Sequence, residues 1–189
     1  MITSYKDYLE YLKADEEALG YSKKNKPRWG GTRWRIWKYE KLLRKCEYYF
    51  NCKKRKIYKP YTLLLKYIFR KQSIKYGFEI PLNCFDKGLS IAHIGNIVIN
   101  GNAKIGMNCR IHVGVNIGTA AGYGDLAPII GDDCYIGPGA KIFGKIVIGN
   151  NNVIGANAVV NKSFNREGIT IAGVPAKIIS EREKDSLGN

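Results

Sequence analysis

The chain has 189 residues, enough for one compact domain or a main domain with a smaller appendage. It carries 31 Lys and Arg against 16 Asp and Glu, a net charge of +15 that favours polyanionic partners over acidic-surface roles. The longest apolar run, Tyr61–Phe69, is interrupted by Lys66 and is too short to span a bilayer.

The charge is uneven. Residues 1–88 hold 22 basic and 9 acidic side chains, and within 20–75 the count is 19 to 2, with Glu40 and Glu47 the only acids. Met1–Gly20 is acidic and polar, unlike a secretory signal, so the chain is expected in the cytoplasm, with a peripheral place at the inner membrane face left open. Five cysteines (Cys46, Cys52, Cys84, Cys109, Cys134) form no CxxC pair and are odd in number, as expected of buried thiols in a reducing compartment.

Three helices are expected in a basic N-terminal region, 1–77. Residues 3–20 can be capped by Thr3 or Ser4, carry an apolar stripe at Tyr5, Tyr8, Leu9, Leu12 and Ala18-Leu19, and stop at Gly20. A basic loop, Lys23–Thr32, follows, with Pro27 and Gly30-Gly31 as breakers. A second helix is read from Trp34, Trp37, Leu42, Leu43, Cys46 and Tyr49, with Arg33, Arg35, Lys38, Lys41, Arg44 and Lys45 around it. Pro60 leads into a third, Tyr61–Tyr76, apolar at Leu63, Leu64, Tyr67, Ile68 and Ile74. Two uses of these stripes compete: packing on one another and on the next domain with Lys and Arg in water, or lying on an anionic membrane surface. Nucleic acid is not expected, because charge comes without any binding motif.

From Phe78 the pattern changes. Aliphatic residues recur every six positions at Ile99, Ile105, Ile111 and Ile117, then at Ile130, Ile136, Ile142, Ile148, Ile154 and Val160, often followed by glycine. Neither a helix nor a plain strand repeats at six. Short strands joined by tight corners do, with one residue in six pointing into a narrow axial core. The expected fold is therefore mainly β: a parallel β-helix of hexapeptide repeats over 78–180, preceded by the small helical region and followed by a charged tail, 181–189. Between Ile117 and Ile130 the frame breaks, so Gly118–Pro128 should bulge out as a loop. Ile91 and Ile97 are two residues out of phase with Ile99, which places a register slip beside His93.

The chain has two histidines, and two are too few for a three-histidine metal site, so no metal is expected. No nucleophile elbow is present. His112 follows an inward isoleucine and should face outward. His93 sits at the phase slip, where an imidazole can titrate near neutrality.

Residues from about Phe78 to Ser180 resemble the serine acetyltransferase branch of the left-handed β-helix hexapeptide acyltransferases. Among these they are most similar to the shorter homologues of capsule, exopolysaccharide and O-antigen loci. The resemblance is carried by Gly88–His93 with Gly95 and Ile97–Asn100, by Ala103–Gly118, by Ile136–Gly144 and by Ala172–Ile178 (AGVPAKI). It implies a homotrimer with sites at the subunit interfaces, acetyl-CoA as co-substrate and no permanently bound cofactor. His93 would be the general base, with Glu79 the carboxylate that orients it and Asp86 its rival. CoA would meet Gly118, Thr119, backbone around Ala140 and Ala156, Pro175 and Lys177. The serine enzymes carry Arg-His in the loop where this chain has Leu126-Ala127, so His112 is a candidate stand-in for the second histidine. That departure, with Tyr123 and Asp125 in the same loop, makes a saccharide hydroxyl of a surface polysaccharide the expected acceptor. Serine is the alternative, and a non-catalytic basic trimer that anchors an assembly is the second alternative.

Overall fold

The computed structural model describes residues 1–21, 31–122 and 124–181. Three helices, α1 (Tyr5–Ala18), α2 (Thr32–Cys52) and α3 (Lys59–Tyr76), precede a left-handed parallel β-helix. The first coil runs from β1 (Phe78–Glu79) through Phe85 to β2 (Ser90–Ile91). The second holds β3 (Ile97–Ile99), β4 (Lys104–Ile105) and β5 (Arg110–Ile111), and the third β6 (Asn116–Gly118), β7 (Ile129–Ile130) and β8 (Tyr135–Ile136). The fourth holds β9 (Lys141–Phe143), β10 (Val147–Ile148) and β11 (Val153–Ile154). The last runs from β12 (Val159–Val160) through Phe164 to β13 (Ile169–Gly173), and β14 (Ala176–Glu181) folds back antiparallel on β13.

Stacking these coils makes three sheets: A (β1, β3, β6, β9, β12), B (β4, β7, β10) and C (β2, β5, β8, β11, β13, β14). The hexad isoleucines fill the axis: Ile91, Ile111, Ile136, Ile154 and Ile171 align up sheet C and are all fully buried. Cys109 and Cys134 are inward at small positions, and all five cysteines are free thiols. After Gly118 the described residues form no strand until the coil resumes at β7.

The coil ends, but its backbone groups still need partners, and here the helices supply them. An N-terminal coil has no neighbour above it, so its upward N–H and C=O groups would be orphaned on burial. The Asp15 carboxylate accepts from the amides of Gly88 and Leu89 at 2.8 and 2.9 Å. Glu47 accepts from Asn83 at 2.7 Å, and Glu40 from Ile91 at 3.0 Å. Arg44 donates to the carbonyls of Phe85 and Asp86 at 2.9 and 2.7 Å, and pairs with both Asp15 and Glu47. All four side chains are buried. Arg44, expected among the solvated bases of the second helix, is thus corrected to a buried group, because it is the donor that the coil's open end demands.

The helix faces also differ from expectation. Ser4 caps α1 in a reciprocal box with Asp7, but Tyr5 and Leu9 are exposed while Tyr11 and Asp15 turn inward. On α3, Leu63, Leu64, Tyr67, Ile68 and Ile74 are exposed, whereas Leu65 and Ser73 are buried and Phe69 and Tyr76 pack on the core. The helix is apolar on two sides, so periodicity alone could not choose the docked one. The Lys23–Thr32 loop (all but its last two residues), Tyr123 and the 182–189 part of the tail lie outside the described residues.

Glu40 carries a testable consequence. Burial, and then the nearby charge of Asp15, raise its carboxyl well above the ordinary 4.5, while its second oxygen has no partner. The folded chain therefore holds a proton there that the unfolded chain releases above 4.5, so this group's contribution falls as pH rises from 4.5 toward the folded pKa. Glu40→Gln keeps an acceptor for Ile91 and removes the titration. Its unfolding free energy, measured by denaturant between about pH 5 and 8, should gain on the parent as pH rises. Parallel profiles for the two proteins would show that Glu40 does not titrate in that window.

Candidate functional site

The edge between sheets C and A collects the histidines. Eight positions separate Ile91 from Ile99, where six separate Ile111 from Ile117, so the corner after β2 is two residues longer than the one beneath it. Gly95 makes that longer corner fit: its φ is +151°, and an added Cβ would lie 2.4 Å from a methyl of Val113. His93 stands exposed on this bulge. His112, one coil down, faces outward beneath it, with ring centroids 5.9 Å apart, and the ring of Tyr135 lies 4.8 Å beyond His112.

The two imidazoles differ in environment. Burial first, then the charges of Arg110 and His93, hold His112 below its ordinary 6.5, which keeps it neutral at neutral pH. Its Nε2 is buried and without a hydrogen-bond partner. Arg110 is itself tied to the hydroxyl of Ser90 at 3.0 Å. Such an edge offers an exposed base beside a neutral imidazole whose polar atom is unclaimed, which suits proton transfer from a hydroxyl.

The expected carboxylates are placed differently. Glu79 is exposed on β1, where it lines a groove of about 500 Å³ with Arg70, Ser73 and Asn96 from α3 and the His93 corner. No hydrogen bond joins it to His93. Asp86 lies at another corner, between sheets B and C, accepting from the Tyr11 hydroxyl and the Lys87 amide, with the N-terminal amine 4.0 Å away. Burial works against its charge, but these partners hold the carboxyl below its ordinary value. Asp86 as orienter of His93 is therefore corrected: its oxygens are committed on the far side of the first coil.

The residues expected at CoA divide between two edges. Ala156, Pro175 and Lys177 are exposed at or beside the end of sheet C that carries His93 and His112. Ala140 is on the same edge, but its side chain is fully buried and its own amide and carbonyl are bonded to Gly137 and Asn116. Gly118 and Thr119 lie at the opposite end of sheet A, at the start of the loop. In that loop Asp125 is exposed and its carbonyl accepts from Asn102, Leu126 is exposed, and Ala127 packs against the core. Among the described residues no group of three His, Cys, Asp or Glu could hold a metal, and no helix is long and apolar enough to cross a membrane.

Sequence reasoning missed Ser90, Arg110 and Tyr135. Their signal was available: each precedes the inward isoleucine of sheet C, so each points out on the histidine edge. Glu40 could not be found that way, since only the docking of α2 brings it behind Ile91.

Residues 127–162 match the family described as bacterial transferase hexapeptide (six repeats). Serine acetyltransferase from Mycobacterium tuberculosis is 37% identical over 99 residues, 52% of this chain and 43% of the relative. That of Staphylococcus aureus strain Mu50 is 40% identical over 107 residues, 56% of this chain and 50% of the relative. The chain thus spans about half the length of the curated relatives that it matches. The crystal structure of Brucella abortus serine acetyltransferase with coenzyme A superposes with a TM-score of 0.74 at 25% identity, covering 95% of this chain and 70% of that one. These names overturn the expected saccharide acceptor. The loop behind that expectation sits at a different edge of the chain from His93, so within one copy its two lost polar groups do not line the histidine edge. Part of the β-helix, residues 127–162, thus matches the bacterial transferase hexapeptide family, and the chain is similar to the serine acetyltransferases over about 100 residues.

Proposed function

We propose that the protein is an acetyl-CoA-dependent O-acetyltransferase acting on the hydroxyl of serine. The observation that carries this reading is the exposed His93 over a neutral His112 on a hexapeptide coil similar to serine acetyltransferases. His93 accepts the hydroxyl proton as the oxygen attacks the thioester carbonyl; the C–O bond forms and the C–S bond breaks. The imidazolium then returns the proton to the departing CoA thiolate. His112 lies beneath His93 as a neutral imidazole, and Glu79 supplies a carboxylate on the same side of the first coil.

A complete site takes a second copy of the chain. The histidine edge, with Ala156, Pro175 and Lys177, and the loop edge, with Gly118 and Thr119, do not meet within one β-helix. A homotrimer of parallel prisms would set one copy's histidine edge against the next copy's loop edge. Lys177 would then offer an ammonium for a CoA phosphate.

The test is direct. The purified protein, given acetyl-CoA and L-serine, should release CoA thiol in proportion to serine, and release should be negligible without an acceptor. Serine-independent release, or none, would remove serine as the acceptor.

A further inference from the structure

The outer face of α3 is apolar, long and uncovered. Leu63, Tyr67 and Ile74 are 64%, 57% and 73% exposed, and Leu64 continues the stripe. At 100° per residue these positions share one side of the helix, three turns long. Exposed leucines scattered singly need no explanation, but four large apolar side chains along one side of a helix do. Its surroundings are cationic. Residues 53–77 contain nine Lys and Arg and no acid, and Lys66, Arg70, Lys71 and Lys75 flank or interrupt the stripe.

Beside it, α2 and α3 enclose a groove of about 460 Å³ walled by Trp34, Arg35, Lys38, Lys75 and Tyr76. Lys38 already lies 3.7 Å over the Trp34 ring, and no acidic side chain lines the groove. Three cations converge next to an apolar stripe, with aromatic rings at the boundary between them.

The charge selects the occupant. A second copy docked face to face would bring nine bases against nine, with no acid between Tyr48 and Phe78 to relieve them. A nucleic acid would use the cations but leave the leucines and isoleucine in water. An anionic bilayer uses both, since apolar side chains enter the acyl boundary while Lys and Arg meet headgroup phosphates.

We infer that α3 is an interfacial helix, seating this protein on an anionic phospholipid surface with its Leu63–Ile74 stripe and taking lipid phosphates in the α2–α3 groove. The inference does not depend on the identity of the acceptor. The geometry also sets direction. Glu79 and the His93 corner adjoin the C-terminal end of α3, so a seated helix holds the histidine edge near the membrane.

The test is co-sedimentation of the full chain with phosphatidylcholine vesicles, with and without phosphatidylglycerol. Partitioning should be at least about tenfold stronger with the anionic lipid and should weaken as salt rises. The double substitution Leu63→Glu, Tyr67→Glu should reduce it about tenfold or more without lowering the melting temperature, because both side chains are already exposed. Should the pair melt early, Ile74→Asp at the far end of the stripe makes the same test. Equal binding to both vesicle types, or none, overturns the inference. So does binding to anionic vesicles that the stripe substitutions leave intact, since that is attraction to any polyanion. Self-association that these substitutions abolish, without lipid binding, would assign the face to a second copy instead.

Discussion

His93→Ala should lower turnover by roughly 10²–10⁴-fold, the usual worth of a positioned acid–base group. His93 is exposed on a corner that projects from the coil, and the core isoleucines behind it are untouched by the change. Melting temperature and oligomeric state should therefore stay at the parent's values while CoA release with serine collapses. His112→Ala should cost less, because a half-buried neutral imidazole beneath His93 supports the base and does not take the proton. Near-normal turnover in His93→Ala would end the assignment of this edge as the catalytic one. A larger loss at His112 than at His93 would exchange their roles.

Arg44→Met should be the most damaging single change to stability. It would leave Asp15 and Glu47 buried without their shared cation and strip the carbonyls of Phe85 and Asp86 of their donor. Breaking a buried pair from one side costs about 3–5 kcal/mol, because the remaining charge is uncompensated. In a chain of this size that corresponds to a fall in melting temperature of roughly 10 °C. Thermal unfolding followed by circular dichroism checks it. A shift of only about a degree would mean that water reaches the coil's open end and that the network does not seal it.

The β-helix was legible from its repeat, and so was the disturbance at its first coil. The out-of-phase Ile91 and Ile97 correspond to the longer corner on which His93 stands, and the broken frame after Ile117 corresponds to the loop. The pairing of His93 with His112 could also be anticipated, since both follow an inward isoleucine of sheet C by one or two positions. Asp86 illustrates the opposite case. It is as near to His93 in sequence as an orienting acid should be, yet a coil turns through three faces, and seven residues carry the chain past one corner and onto the next edge.

The acceptor was misread for a related reason. Leu126 and Ala127 are informative about one wall, and the absence of polar groups there does not describe the whole pocket. Relatives named serine acetyltransferase at 37% and 40% identity show the coil itself to be similar to enzymes named for another acceptor.

By itself the sequence determined the axis of this protein: which residues line it, where corners fall, and where the regular winding is broken. It could do so because each coil repeats a local pattern and packs only on its neighbours, so a one-dimensional period encodes the three-dimensional core. Only the tertiary structure decided how the helices sit. The helices are apolar on more than one side and rich in charge throughout, so no period singles out the docked face. The choice is made by the open end of the first coil, whose amides and carbonyls draw Asp15, Glu40, Arg44 and Glu47 inward. Those four ionisable residues are buried for their hydrogen bonds, while Leu63 and Leu64 of α3 stay outside.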